Sequence, residues 1–182
     1  MPKTALILID IQNDYFAGGL WTVPEMERAA ANAARLLAKA RDTGELIVHI
    51  RHEFPSEAAP FFRPGSTGAE IHASVEPLSS EKVITKDRPN SFQNTPLLDL
   101  LKGETIEAVT LCGAMSQMCV DATARAAADF DFAVTVVEDA CAARCVSFEG
   151  RDIDASIVHA AFMAPLASSY GKVVQTEAYL EA

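Results

Sequence analysis

The sequence predicts an α/β domain in which a mainly parallel, six-stranded sheet is covered by helices. Three observations lead to it. Short β-rich apolar runs alternate with longer helical patterns along the chain, which is the sequence form of strand–helix–strand units. The first run, "TALILID", is unbroken rather than alternating, as expected of a strand buried on both faces. The 182 residues are enough for one compact domain with a sizeable core and too few for two of ordinary size, so residues 1–182 are read as a single domain.

The first strand is expected from Thr4 to Asp10. A helix follows after Pro24, which suits a first turn; Glu25 and Glu27 face the positive end of its dipole, Lys39 and Arg41 sit near its end, and Gly44 stops it. Met26, Ala29, Ala30, Ala33, Leu36, Leu37 and Ala40 recur at helical spacing and form its core stripe. Further strands are expected at "ELIVHI" (45–50), "KVIT" (82–85), "IEAVTLC" (106–112), "FAVTVVE" (132–138) and "KVVQT" (172–176). Helices fill the intervals near 96–102, 117–129 and 151–168, with Pro165 disturbing the last by removing a backbone donor, and a short helix ends the chain. The segment 53–80 breaks this regularity. It is rich in Pro, Gly and Ser without periodicity, and loops of that length in compact domains commonly serve as lids or subunit contacts.

Composition narrows the function classes. Fifteen basic against 25 acidic residues give a net charge of −10, and no Lys/Arg block stands out, so nucleic acid is not an expected partner. The N-terminal stretch carries one lysine before a five-residue apolar run ending in aspartate, shorter than a signal-peptide core and without a cleavage site. No apolar stretch approaches the roughly 18 residues that would span a bilayer. A cytoplasmic protein with reduced cysteines and no membrane partner is expected.

In a parallel α/β sheet, residues just past the C-terminal strand ends converge on one rim, where ligands bind. Asp10, Lys86 and Cys119 all occupy such positions. Ser116 is a candidate N-cap, which would put Cys119 in the first turn of a helix starting at Gln117. There the dipole and a nearby Lys86 would depress the thiol pKa, and Asp10 could take the thiol proton and later give it to a leaving group. Each residue also has a plainer reading: a core filler, a turn cap, a solvated charge. Pattern alone leaves catalysis and packing both open. Cys112, ending a strand, reads as a small core residue. Cys141 and Cys145 in "DACAARC" lack the second pair a metal clamp would need, which favours a structural role. His49 and His52 are three apart, so along a strand they face opposite ways and could ligate together only if the strand ended between them. His72 in the long loop and His159 on a helix face are explained by packing or solvation.

Three separated motifs add a resemblance. "LILIDIQNDYF", the Lys86 and Ser91-Phe92 of "KDRPNSFQNTPL", and "GAMSQMCV" followed by "DATARAA" resemble the isochorismatase-like cysteine hydrolases. The similarity runs nearly end to end and includes "PGSTGAEIHASVEP" and "VVEDACAA". It implies a Rossmann-like three-layer α/β/α sandwich and an Asp-Lys-Cys triad on Asp10, Lys86 and Cys119. It also implies a cis non-proline peptide at Ala114–Met115 and an oxyanion hole made by the backbone amides of Met115 and Cys119. The chain departs from the family pattern where Ser116-Gln117 replace the usual Thr-Asp, where Met115 replaces a frequent small residue, and where Asn90-Ser91 replace Ser-Ala before Phe92. "HIRHEFPSE" lacks the Asp-x-His arrangement that holds a metal in the nicotinamidase branch, so no metal and no cofactor are expected. Isochorismatase acts on a vinyl ether without a cysteine nucleophile, and Cys119 points away from that reaction.

The expected function is therefore metal-independent, cysteine-dependent hydrolysis of a C–N bond in a small amide or carbamoyl compound, through a thioester-type intermediate. Phe16, Trp21 and Phe92, with Phe61 or Phe62 from the long loop, are candidate pocket residues, and a homo-oligomer is expected. The alternatives are nicotinamidase or vinyl-ether chemistry, a thiol redox sensor in which Cys119 pairs with Cys112, and a binding protein without turnover.

Overall fold

The computed structural model describes residues 3–181; Met1, Pro2 and Ala182, at the ends of the expected 1–182 domain, lie outside the described residues. In chain order the strands are β1 (Thr4–Ile9), β2 (Leu46–His52), β3 (Lys82–Lys86), β4 (Ala108–Ala114), β5 (Ala133–Ala142), a short antiparallel pair β6 (Val146–Phe148) and β7 (Arg151–Ile153), and β8 (Lys172–Val174). Six of them form one all-parallel sheet in the order β3-β2-β1-β4-β5-β8. The chain starts in the middle, winds outward through β2 and β3, then returns to place β4 against the other side of β1. That reversal leaves a crevice between the C-terminal ends of β1 and β4, the usual place for a ligand in an open α/β sheet.

The helices are α1 (Met26–Thr43), α2 (Leu97–Gly103), α3 (Asp121–Asp129), α4 (Ala155–Ser169) and α5 (Thr176–Leu180). Because successive strand residues face opposite ways, β1 feeds both core layers: Ala5, Ile7 and Ile9 pack with α2, α3 and α4, while Leu6 and Leu8 pack with α1 and α5. This is the expected three-layer sandwich. The predicted α1 stripe is the buried one, and each fully buried large aliphatic residue in these layers contributes about 1.5–3 kcal/mol.

Several boundaries differ from the sequence reading. Helix α1 begins at Met26, with Glu25 in left-handed conformation (φ 60°) as its N-cap, so Pro24 precedes the first turn instead of occupying it. Strand β1 stops at Ile9. Strands β2 and β5 outrun their apolar segments because pairing with β3 and β4 carries them to His52 and Ala142. The segment expected to open the fourth large helix at 151 is the hairpin strand β7, and α4 then runs unbroken through Pro165. Burial of Val158, Met163 and Leu166 offsets the missing donor. A π-helical turn, Ser116–Val120, precedes α3.

The 53–80 loop is stitched to the residues that follow Asp10. Gln12 donates to the carbonyls of His52 (2.8 Å) and Ala69 (2.7 Å) and accepts from the His52 amide (2.8 Å). Asn13 donates to the Thr67 carbonyl at 2.8 Å. The buried Asp14 carboxylate accepts from the amides of Phe62 (2.7 Å) and Leu20 (3.1 Å). A Cβ at Gly68 would run into that carboxylate, so the loop backbone passes directly over it. Among the described residues no helix is long and apolar enough to cross a membrane.

One glycine is fixed by close approach. Gly113, near the end of β4, has φ +121°, and a Cβ there would land on the Ile9 carbonyl of β1. Gly113→Ala is expected to destabilise the protein by roughly 3 kcal/mol or more, a fall of about 6–12 °C in Tm for a chain of this size. Gly44→Ala, at φ +70° with open space around it, should cost only about 1 kcal/mol. Thermal denaturation of both variants checks this; equal losses would show that the approach to Ile9 is not what fixes Gly113.

Candidate active site

Three strand ends supply the reactive side chains. Asp10 follows β1 in left-handed conformation (φ 50°), a region aspartate tolerates better than most residues, and its amide donates to the Ile50 carbonyl at 3.0 Å. Lys86 is the last residue of β3, in register with His52 at the end of β2. Cys119 lies in the π-helical turn after β4, beyond Gly113 and a cis peptide between Ala114 and Met115. These routes converge on one ammonium. Lys86 Nζ lies 2.7 Å from Asp10 Oδ2, 3.1 Å from His52 Nδ1 and 3.3 Å from Cys119 Sγ, and all four residues are buried.

The three N–H donors of Lys86 thus meet three acceptors, which is how a buried ammonium keeps its charge. Burial works to lower the Lys86 pKa, but attraction to Asp10 and Cys119 outweighs it and holds the group above its ordinary value. His52 is pushed down to about 4, first by burial and then by the Lys86 charge. It is therefore neutral at physiological pH. Since Nδ1 accepts from the ammonium, its proton belongs on Nε2, which has no partner among the described residues.

Cys119 corrects the sequence reading. Its thiol pKa is raised well above the ordinary value, by burial foremost and then by the Asp10 charge, against the downward pull of Lys86. The helix-terminus argument was local, whereas the whole cluster is buried and the ammonium is already committed to Asp10. Nor does Ser116 cap the turn. Its hydroxyl is bonded to His159 Nδ1 (2.8 Å), and His159 Nε2 to Glu138 Oε2 (3.1 Å), which ties the Cys119 turn to α4 and β5.

Asp10, His52 and Cys119 offer ligand atoms within 4.8 Å of one another, a set able by itself to hold a metal ion. Lys86 Nζ, however, donates to all three, so a divalent cation would have to displace a paired ammonium. The set does not fit a metal while Lys86 is charged. His49 takes no part: its Nε2 is bonded to Glu81 at 2.8 Å. Cys141 donates to the Val137 carbonyl at 3.3 Å and Cys145 is exposed, with the structural role expected of the former. Cys112 packs in the layer under α1, and Cys119 in the layer under α3, on opposite faces of the sheet.

The aromatic candidates separate. Trp21 stacks on Phe61 (4.7 Å) beneath the Arg144 guanidinium (3.9 Å). Phe61 meets Phe54 and Tyr15, Phe62 packs on Tyr15, and Phe54 packs on the His52 ring at 4.5 Å. Phe16 stacks on His72 at 3.6 Å. Phe92 packs against Phe130 and Phe132, in the same core layer as Cys119, and Ser91 is bonded to Thr123 of α3. Four residues at the site have no catalytic part in the sequence reading. Tyr15, whose phenol is kept protonated by burial and then by the charges of Cys119 and Asp10, follows the first motif directly. His52 sits on the same rim as Lys86, but its strand was ended two residues early. Gln12 and Arg144 show no signal beyond their closeness to motifs.

The isochorismatase domain family model matches residues 4–174. An isochorismatase family protein of Bacillus subtilis, YddQ, is 47% identical over 178 residues, covering 98% of this chain and 99% of its own. A maleamate amidohydrolase of Pseudomonas putida is 32% identical over 186 residues, covering 94% of this chain and 83% of its own. Among solved structures, an isochorismatase hydrolase from Oleispira antarctica superposes with a TM-score of 0.96 at 43% identity, covering 100% of this chain and 97% of its own.

The electrostatics of Cys119 set an ordered outcome for alkylation. Asp10 raises the thiol pKa, so Asp10→Asn should lower it and speed labelling of Cys119 by iodoacetamide at neutral pH; Lys86→Met removes a lowering charge and should slow it. In the unmodified protein, exposed Cys145 should label before Cys119. Peptide mapping after limiting reagent checks the order, and slower labelling in Asp10→Asn would contradict it.

Proposed function

The chain belongs to the isochorismatase family of hydrolases, and on that footing we propose that it cleaves the C–N bond of small amide or carbamoyl compounds through a covalent thioester on Cys119. The observation that carries this reading is the placement of one thiol, one carboxylate and one ammonium in a single buried cluster, with Lys86 bridging Cys119 and Asp10. The raised thiol pKa fits it. A thiol protonated at rest needs a base at the moment of attack, and Asp10 is the carboxylate present.

In the proposed sequence the substrate carbonyl carbon approaches Cys119, the thiol proton passes to Asp10, and the S–C bond forms as Lys86 balances the charge. Amides of Met115 and Cys119 would hold the resulting oxyanion, each such donor being worth roughly 3–4 kcal/mol. Asp10 returns the proton to the leaving nitrogen as the C–N bond breaks. Water then attacks the thioester with Asp10 again as base, the S–C bond breaks, and the thiol is restored. A thiolate has no comparable route through a vinyl ether, and the maleamate amidohydrolase among the relatives supports amide chemistry. Oxidative pairing of Cys119 with Cys112 has less support, because they occupy opposite core layers. Free cysteines suit a reducing, cytoplasmic compartment.

Assembly belongs to the same proposal. Helix α4 is apolar on both sides, exposing Ile157 (58%), Ala160, Ala161 and Ala164, with Phe148 (69%) and Met118 (44%) also exposed. A helix apolar all round is ordinarily covered, and we take a second copy of the chain as its cover. Light scattering at micromolar concentration should return a multiple of 19.5 kDa; a mass of 19.5 kDa overturns this part.

The chemistry is tested with a panel of small amides, N-carbamoyl compounds, nicotinamide and isochorismate. With a turned-over amide, acid quench and mass spectrometry should show an acyl adduct on Cys119. Cys119→Ala should abolish turnover, and Asp10→Asn should slow it by orders of magnitude. Turnover that survives Cys119→Ala, or that depends on added zinc, would sink the reading.

A further inference from the structure

A second chain of polar contacts meets the Cys119 turn from the α4 side, and the proposed chemistry does not use it. Ser116, buried at the start of the turn Ser116–Val120, is bonded through its hydroxyl to His159 Nδ1 at 2.8 Å. His159 Nε2 is bonded in turn to Glu138 Oε2 of β5 at 3.1 Å, and Glu138 Oε1 accepts from Gln175 Nε2 at 3.3 Å. A carboxylate only accepts, so the proton of the imidazole lies on Nε2. In the neutral ring Nδ1 is then the acceptor, and the Ser116 hydroxyl donates to it. Hydroxyl, imidazole and carboxylate in this order form a hydrolytic triad where the hydroxyl meets a substrate. Ser116 has no exposed surface, which leaves the chain a holding part instead of an attacking one. Its outer end is partly exposed and lines a separate cavity of about 170 Å³ with Pro24, Arg28 and Ser156, to which Asp10, Lys86 and Cys119 do not contribute.

The hydroxyl is turned away from its own helical turn. A serine that opens a helix ordinarily folds its oxygen back onto the leading amides. Here no side chain caps the turn, and Ser116 faces His159. The other ties are internal or longer. Met118 and Val120 donate to the Met115 carbonyl at 3.0 and 3.3 Å, while Gln117 Nε2 reaches the Arg144 carbonyl at 3.4 Å. Among the described residues the Ser116–His159 bond is thus the shortest side-chain tie from this turn to the rest of the fold. It acts at the residue standing between Met115 and Cys119, whose amides are the proposed oxyanion donors. A displacement of about 1 Å at a catalytic group can lower the rate roughly 100-fold, so the tie lies where small movements matter.

Resting on the amide-hydrolase reading, we infer that Ser116, held by His159 and Glu138, is a positioning residue of this site. It fixes the Met115 and Cys119 amides where the oxyanion forms, and it takes no part in the proton transfers of Asp10.

The test separates the thiol from the oxyanion donors. Iodoacetamide alkylates Cys119 by displacing iodide, which builds no oxyanion. Butyraldehyde adds to the same thiol reversibly: the S–C bond forms, the carbonyl π pair moves to oxygen, and the thiol proton passes to Asp10. Peptide mapping of Cys119 after iodoacetamide, with and without the aldehyde, gives an alkylation rate and an aldehyde affinity. Ser116→Ala and His159→Leu should weaken aldehyde protection about 10-fold or more and leave the alkylation rate near that of the unmodified protein. His159→Asn, which keeps an acceptor near the Nδ1 position, should recover much of the protection, whereas His159→Gln, which keeps one near Nε2, should not. With any amide that is turned over, Ser116→Ala should lower kcat by a similar factor and leave KM nearly unchanged. Weakened protection in these variants upholds the inference even if no amide is hydrolysed, in which case the hydrolase reading fails alone. Protection that survives Ser116→Ala, equal changes in alkylation and protection, better recovery by His159→Gln than by His159→Asn, or no protection in the unmodified protein overturns it.

Discussion

The ammonium of Lys86 is shared among Asp10, His52 and Cys119, and the rest of the rim is arranged around keeping it there. A lysine buried at the end of a strand would ordinarily lose its proton. Here each N–H finds an acceptor of a different kind: a carboxylate, a neutral imidazole and a sulfur. The carboxylate supplies the compensating charge, the imidazole takes a donor without adding charge, and the sulfur gains a counter-ion only when it ionises. Removing one partner of a buried ion pair generally costs about 3–5 kcal/mol, so this cluster is coupled to the stability of the sheet ends that carry it.

That coupling explains the backbone around it. Asp10 reaches the ammonium because β1 ends in a left-handed residue, and conformations of that sort at a functional site cost on the order of 1–3 kcal/mol. Cys119 reaches it because β4 passes so close to β1 that only glycine fits at position 113. The parallel register sets Lys86 beside His52 without further help. Each device is local, and together they bring side chains from three strands within hydrogen-bond distance of one nitrogen.

Much of this was legible in the sequence, and the limits have physical causes. The unbroken run of β1, the stripe of α1 and the stop at Gly44 are local patterns that the packed structure keeps. The meeting of Asp10, Lys86 and Cys119 follows from the rule that parallel strands end on one rim. The direction of the thiol pKa does not follow, because it depends on burial of the assembled cluster, which no stretch of residues states by itself. His52 was hidden because the last turn of pairing with β3 lengthens β2 beyond its apolar run. The β6–β7 hairpin was hidden because its turn is Glu149-Gly150, both at positive φ, where an Asn or Asp before the glycine would have announced it.

The stitching of the 53–80 loop to Gln12, Asn13 and Asp14 places the attachment of the loop immediately beside the base. The anchoring bonds land on loop backbone, at Phe62, Thr67, Ala69 and Glu70, and none reads a loop side chain. Apart from Gly68, where a side chain would meet the Asp14 carboxylate, the seam itself does not depend on which side chains stand between those anchors. A scaffold of this kind separates reagent from recognition mechanically: new loop tips can be fitted to the same three-residue rail, Gln12 to Asp14, and the chemistry beneath them stays in place.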